Sequence, residues 1–393
     1  MLNSNELCVF GQSFKLERYP IFEKDGLKAW DSADCYLLES IKSLIGASKK
    51  ICVLNDNFGA LSAPLNDYEP YSYSDSWMAM EAIRLNSKAS GNVEKVQFHS
   101  TLSTLLDQPI PPDLIVGRVP KCKSQLIYLL DSLRNWVAPD CQLFLAGMDK
   151  HLSRGQFDLV SQYFGPAEFY PGYKKARIWR SVVDKSLAPT TPSIANVSLD
   201  EFDLELKSHA NVFSREKLDI GSRFLLENIS LIPTKRNVAD LACGNGVLGL
   251  AYLKFHEKSH LTSHPTSSIS FFDESFQAIQ SVEENIEFNM SNSDVNTKTY
   301  VNDGLLGVSE DEFDLILCNP PFHQLNTVST AVARRLFEQA HKSLADGGEF
   351  WVIANRHLGY HHVIKKIFSN CSQIKANSKF TILSAVKGNS KTQ

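Results

Sequence analysis

Four consecutive residues, Asn319-Pro320-Pro321-Phe322, carry the most distinctive chemistry in this chain. Two adjacent prolines cannot continue a central strand or readily open a helix, so the backbone there is held extended and stiff. The Asn319 amide oxygen and the Pro320 carbonyl can then accept the two hydrogens of one planar amine, directing the nitrogen lone pair away from both. Phe322 can lie against the ring that bears the amine. Such a site suits transfer of an electrophilic group onto nitrogen. The nitrogen turns cationic as the new bond forms, so the acceptors bind the transition state more tightly than the ground state. Asn-Pro-Pro also occurs as a plain loop breaker. Here it follows the apolar run from Asp314 to Cys318, at the strand end where open α/β sheets bind ligands.

Three upstream elements could hold a cofactor beside that amine site. From Asp240 to Gly249, a glycine-rich turn containing Ala242, Gly244 and Gly246 lies between an apolar strand and a helix. Glycines permit positive φ and close approach of a ligand to the backbone. Taken literally the turn reads G-x-G-x-x-G, the dinucleotide fingerprint, which alone is a weak signal. The run from Ile269 to Asp273 is a strand ending in a carboxylate, placed to accept hydroxyl hydrogens of a ribose. Its distance from the glycines exceeds the roughly 20 residues of a dinucleotide fold, and a polar insertion, 256–268, accounts for the excess. Asn302-Asp303-Gly304 follows a β-rich stretch; Asp303 can accept from an adenine amine, although an Asx-type turn explains the same residues.

These elements sit in a chain of 393 residues, 43% hydrophobic and 21% charged, ample for two or three folded domains. Short β-rich runs alternate with helix-period stretches, as in Val238 to Leu241, Val247 to Phe255, Ile269 to Phe272 and Phe276 to Phe288, which argues for parallel βαβ units. The halves also match in ordered blocks. Asp113 to Pro120 aligns with Asp314 to Pro321, Asn55 to Gly59 with Ala242 to Gly246, and Tyr73-Ser74-Asp75 with Phe271-Phe272-Asp273. Duplication of one fold follows, with residues 1–183 a degenerate copy, 184–198 a Pro/Thr/Ser-rich linker and 199–393 the catalytic copy. Asn57 replaces Gly244 in the first copy and Arg118 replaces Asn319, so that copy is expected to bind neither cofactor nor target base. Arg118, Lys121, Lys123, Lys174, Lys175 and Arg177 would instead suit nucleic-acid phosphates.

The net charge of -4 excludes a general basic field. Arg334-Arg335 and Lys365-Lys366 read as ordinary solvated faces. The eight cysteines show no C-x-x-C pair, so reduced thiols are expected rather than zinc or disulfides. His256, His260 and His264 have i, i+4 spacing, but polar neighbours and Pro265 favour an exposed loop, and no metal is expected. No apolar run is long enough to cross a bilayer and the first residues lack a signal peptide's basic region, so a cytoplasmic protein without membrane contact is expected.

The combination resembles a class I S-adenosylmethionine-dependent methyltransferase bearing the amine-specific N-P-P-F signature. More narrowly, Asn211 to Arg215, Leu218 to Gly221, Cys318 to His323 and Ala354 to Leu358 resemble the RlmG and RsmC pair of bacterial ribosomal RNA guanine-N2 methyltransferases. Ala29 to Asp34, Leu54 to Leu61 and Lys174 to Arg177 resemble the RlmG side of the pair, so the likeness spans nearly the whole chain. It implies two tandem Rossmann-like domains, each a mostly parallel sheet flanked by helices, the second catalytic. It implies methylation of a guanine N2 in 23S ribosomal RNA, with no obligate protein partner. By the same resemblance, Gly244 to Gly246 would hold the methionine part of S-adenosylmethionine and Asp240 its amino group. Asp273 would take the ribose and Asp303 the adenine. Phe213 to Arg215 and Asp219 to Gly221 would close the pocket from the side, Asn319 bordering both ligands. Ala242 departs from the superfamily's usual glycine and is tolerable if its φ is negative.

Other activities share parts of this pattern. A small-subunit ribosomal RNA methyltransferase shares the whole site, and a glutamine-N5 protein methyltransferase shares the amine logic but usually has Tyr where Phe322 stands. A nicotinamide-dependent oxidoreductase fits the glycine turn and leaves Asn319-Pro320-Pro321 unexplained. A non-catalytic RNA-binding protein would have no need of Gly244, Asp273 and Asn319 together.

Overall fold

Apolar runs bounded by turn residues become the central strands of two sheets, one in each half. The computed structural model describes residues 6–21, 27–89, 95–189, 194–258, 266–291, 293–321 and 330–388. They fall into two units, Met1–Ser193 and Ile194–Gln393.

The first unit opens with an antiparallel hairpin of β1 (Glu6–Val9) and β2 (Gln12–Lys15), followed by α1 (Ser32–Ile45). Then come β3 (Ile51–Leu54), β4 (Tyr71–Tyr73), α2 (Trp77–Ala89), β5 (Gln97–His99), α3 (Leu102–Leu106), β6 (Leu114–Arg118) and α4 (Lys123–Trp136). The unit ends with β7 (Gln142–Met148), α5 (Arg154–Tyr163), β8 (Ala167–Phe169) and β9 (Ala176–Val182). Its seven-stranded sheet has the order β5-β4-β3-β6-β7-β9-β8, with β9 antiparallel to both its neighbours.

The second unit repeats this plan. A hairpin of β10 (Ala195–Leu199) and β11 (Leu204–Ser208) precedes α6 (Ile220–Leu226), β12 (Asn237–Leu241), α7 (Val247–Lys258), β13 (Ser268–Asp273), α8 (Phe276–Asn289) and β14 (Asn296–Val301). Next are β15 (Phe313–Cys318), α9 (Thr330–Ser343), β16 (Leu344–Asn355), α10 (Tyr360–Phe368), β17 (Ser372–Ala376) and β18 (Phe380–Val386). The sheet order is β14-β13-β12-β15-β16-β18-β17, again with the penultimate strand antiparallel to its neighbours. Strand order reverses between β12 and β15, which opens a crevice at their carboxyl ends.

Strand register makes the duplication exact at the residue level. Leu54 lies opposite Gly117 as Leu241 lies opposite Cys318, so Arg118 and Asn319 occupy the same place. Asp113 accepts from Lys50 N at 3.2 Å, and Asp314 from Asn237 N at 2.9 Å, each fastening the foot of the neighbouring strand. Register also corrects one expected block. Tyr73 faces Leu54 and Phe272 faces Leu241, so Ser74, and not Asp75, is the counterpart of Asp273. The segment 184–198 differs too: its last residues belong to β10, whose alternate positions are half-buried against the unit.

All eight cysteines are free thiols. Among the described residues no cluster could hold a metal ion, and no helix is long and apolar enough to cross a membrane. His256 lies within α7, its Nδ1 2.8 Å from Thr234 Oγ, rather than in an exposed loop. His260 and His264 lie outside the described residues.

Candidate active site

β12 ends in the glycine turn. Gly244 has φ +57° and Gly246 φ +81°, conformations glycine adopts without strain. A Cβ at Gly244 would meet nothing within 4 Å, which leaves open space where a ligand can reach the backbone. A Cβ at Gly249 would stand 2.5 Å from Phe271 Cε1, so glycine there lets α7 pack down and bring its N–H to Asp240 Oδ2 at 2.8 Å. Ala242 departs from expectation: its φ is +59° rather than negative. Its methyl group is held in the left-handed region, at a cost of roughly 1–3 kcal/mol. Asn55, its counterpart in the first unit, has φ +54°.

Two carboxylates line the turn. Asp240 is fully buried; its Oδ1 accepts no hydrogen bond among the described residues. Burial, with the Asp273 carboxylate nearby, pushes its pKa up to about 7. Asp273 at the end of β13 accepts from Gly244 N through Oδ2 at 2.9 Å and from Ser275 N through Oδ1 at 3.0 Å; burial raises its pKa as well. A dry, unpaired carboxylate oxygen costs stability unless a ligand satisfies it. A cationic ammonium would do so, while the remaining lone pairs of Asp273 suit hydroxyl donors. The residues present thus fit the expected cofactor, with Asp240, Gly244, Gly246 and Asp273 brought together.

Asp303 is buried after β14. Its carboxylate is ion-paired with Arg335 of α9, and its carbonyl accepts from Gln339 at 3.0 Å. Arg335, read from sequence as a solvated cation, is therefore a structural partner of this loop.

Asn319 follows β15. Its Nδ2 donates to Asp219 Oδ2 at 3.2 Å and to Ser222 Oγ at 3.0 Å, while Oδ1 is buried and accepts nothing among the described residues. Pro320 is buried beside it; Phe322 lies outside the described residues. The amide is thus presented oxygen first. Asp219 caps α6 by accepting from Ser222 N at 2.9 Å and turns the same oxygen to Asn319. Gly221 gives that carboxylate room, since a Cβ there would lie 3.0 Å from Asp219 Oδ2. Phe213 is 64% exposed and Arg215 half-buried. Sequence reasoning missed Ser222, whose signal was the Asp-x-x-Ser spacing of a helix cap.

The first unit differs at the corresponding places. Asp56 accepts from Ala60 N at 3.0 Å, Leu61 N at 3.0 Å and Ser62 N at 2.7 Å, so a carboxylate fastens its own turn. Arg118 corrects the sequence reading most sharply. Its guanidinium grips Asp31 at 2.8 and 2.9 Å and Asp34 at 2.7 Å, and its side chain is only 19% exposed. Both carboxylates are already satisfied by it, so it is an internal clamp and not a phosphate contact. Lys121, Lys174, Lys175 and Arg177 are exposed as expected, with Lys150 and His151 beyond the end of β7. Arg177 is ion-paired with Asp149.

A seven-stranded sheet of this order, with a glycine turn, an acidic strand end and Asn-Pro-Pro on successive carboxyl edges, defines a methyltransferase. Family models agree: residues 203–384 match the methyltransferase small domain and residues 4–185 the RLMG N-terminal domain. The ribosomal RNA large subunit methyltransferase G of Yersinia enterocolitica is 38% identical over 96% of this chain and 93% of its own. That of Yersinia pestis is 37% identical over 98% of this chain and 94% of its own. The T. thermophilus 16S rRNA N2 methyltransferase RsmC, solved with AdoMet and guanosine, shares the fold across 97% of both chains, with a TM-score of 0.73 and 18% identity. The chain belongs to the ribosomal RNA large subunit methyltransferase G family.

Proposed function

We propose that the chain transfers a methyl group from S-adenosylmethionine to the exocyclic N2 amine of a guanine in large-subunit (23S) ribosomal RNA. The observation that carries this reading is Asn319, whose amide oxygen is held unpaired at the end of β15 while its nitrogen is tied down. The cofactor supplies an activated methyl group on a sulfonium. Asp240 would meet its ammonium, Asp273 its ribose hydroxyls and Asp303 its adenine edge. Guanine N2 is a poor nucleophile because its lone pair is conjugated into the ring. Asn319 Oδ1 and the Pro320 carbonyl, accepting its two hydrogens, would localise that pair and stabilise the positive charge that develops. No general base is required beforehand; position supplies most of the rate. The base must be single-stranded or flipped out to enter.

Residues 199–393 would perform this chemistry, joined through 184–198 to residues 1–183, which would position the RNA. Arg118 stands where the second unit has Asn319 and offers no acceptor to an amine, whereas Lys121, Lys174, Lys175 and Arg177 suit phosphates. A cytoplasmic location follows from a ribosomal RNA substrate. The deciding experiment incubates the protein with labelled S-adenosylmethionine and ribosomal RNA lacking the modification, then maps the product by mass spectrometry. N2-methylguanosine in 23S RNA is expected; label confined to 16S RNA or to protein would overturn the reading.

A further inference from the structure

A primary amide is an acceptor at one end and a donor at the other, and the two ends have nearly the same shape. If Asn319 presented Nδ2 to an incoming amine, donor would face donor. Something in the protein must choose the end. Ser222 Oγ, 3.0 Å from Nδ2, can donate or accept and so does not choose. Asp219 Oδ2, 3.2 Å from Nδ2, can only accept when ionised, and it fixes the nitrogen end toward itself. Asp219 is in turn held by Ser222 N at 2.9 Å as the cap of α6.

We propose that Asp219, assisted by Ser222, is the positioning residue that keeps Asn319 Oδ1 turned toward the reacting amine. The inference rests on the amine-methylation reading. Donation from Nδ2 to a carboxylate also polarises the amide, leaving more negative charge on Oδ1 and making it a stronger acceptor. The first unit supplies an independent observation. There the helix-capping acid Asp31 grips the strand-end residue Arg118, which register equates with Asn319. A cap acid reaching the end of the fourth strand in the order is thus built into both copies; in the second it is applied to an amide.

The test uses the full-length protein in single turnovers with saturating cofactor and ribosomal RNA lacking the modification. Asp219→Ser keeps a helix-capping oxygen but is one atom too short to serve Asn319 as well. It should lower the rate by about tenfold or more, on the order of one lost oriented acceptor, with cofactor Kd and Tm nearly unchanged. Asp219→Asn, whose oxygen end Ser222 N can still hold in place, should restore part of that rate. Asn319→Asp places two carboxyls side by side, where one must take up a proton. Its residual rate should fall as pH rises, and adding Asp219→Asn should remove that fall. A normal rate in Asp219→Ser, or a weakened cofactor Kd with normal turnover, overturns the positioning role. So does an Asn319→Asp pH profile indifferent to Asp219→Asn. Failure of the unaltered protein to methylate an RNA amine is a different result and overturns the reaction itself.

Discussion

The backbone N–H of Gly244 donates to Asp273 Oδ2 at 2.9 Å, so the acid expected to meet the ribose also fixes the turn expected to meet the methionine part of the cofactor. One substitution should therefore disturb both contacts. Asp273→Ala is predicted to weaken cofactor binding by about 1.5–3 kcal/mol, the range for hydrogen bonds to a charged group. Calorimetry reads this directly. An unchanged Kd would remove Asp273 from the cofactor site.

Asn319→Ala should act on the other term. Loss of one transition-state acceptor is predicted to lower turnover by roughly 10²–10³-fold while cofactor Kd stays constant. Single-turnover rates beside a binding titration separate the two. Near-normal rates would show that the amine is positioned elsewhere.

Asp240 should make cofactor binding depend on pH. Its carboxyl titrates at about 7 in the free protein, because it is buried and lies near Asp273. A pKa raised on folding means that ionisation opposes folding, so the free protein should lose stability as pH rises from the ordinary value near 3.8 through about 7. An ammonium beside the carboxylate favours the ionised form, so Kd should tighten as pH rises toward 7 and level off above it. Asp240→Asn should flatten this dependence; a persistent slope would assign it to another group.

Ala242 offers a stability test. Because its φ is +59°, Ala242→Gly is predicted to stabilise the second unit by about 1 kcal/mol, despite glycine's greater freedom when unfolded. Denaturant titration checks the sign. A loss of stability would mean that the methyl group makes contacts worth more than its strain.

The first unit separates structure from RNA contact. Arg118→Ala leaves Asp31 and Asp34 without their cation and should cost about 3 kcal/mol, at the low end for breaking a buried pair because Asp31 is partly exposed. Lys174→Glu with Lys175→Glu should leave Tm nearly unchanged, weaken RNA binding and flatten its salt dependence. Unaltered binding in the double lysine variant would argue that this edge does not meet RNA.

The second unit's site was legible because its residues follow one another on successive strand ends. Short-range patterns mark strand ends well, and Asp240, Gly244, Asp273 and Asn319 all stand at or just beyond the ends of β12, β13 and β15. What the sequence hid was partnership across long separations. Arg118 reads as a free cation, and only the fold brings Asp31 and Asp34, 87 and 84 residues away, against it. Arg335 with Asp303 and Asp219 with Asn319 were hidden for the same reason. The one-residue error at Ser74 arose because acidic residues were matched by type, where hydrogen-bond register decides. The sign of φ at Ala242 could not be read from composition, since alanine seldom occupies that region.

The paired left-handed residues carry a historical consequence. Gly59 and Gly246, at φ +80° and +81°, and Asn55 and Ala242, at +54° and +59°, kept the ancestral bend of the loop in both descendants. Between those two bends the copies part, since Gly244 has φ +57° while its counterpart Asn57 is not left-handed, so the path was kept at the ends of the loop and changed at its centre. A retired catalytic copy elsewhere should thus be traceable by its fossil torsions after its signature residues have gone.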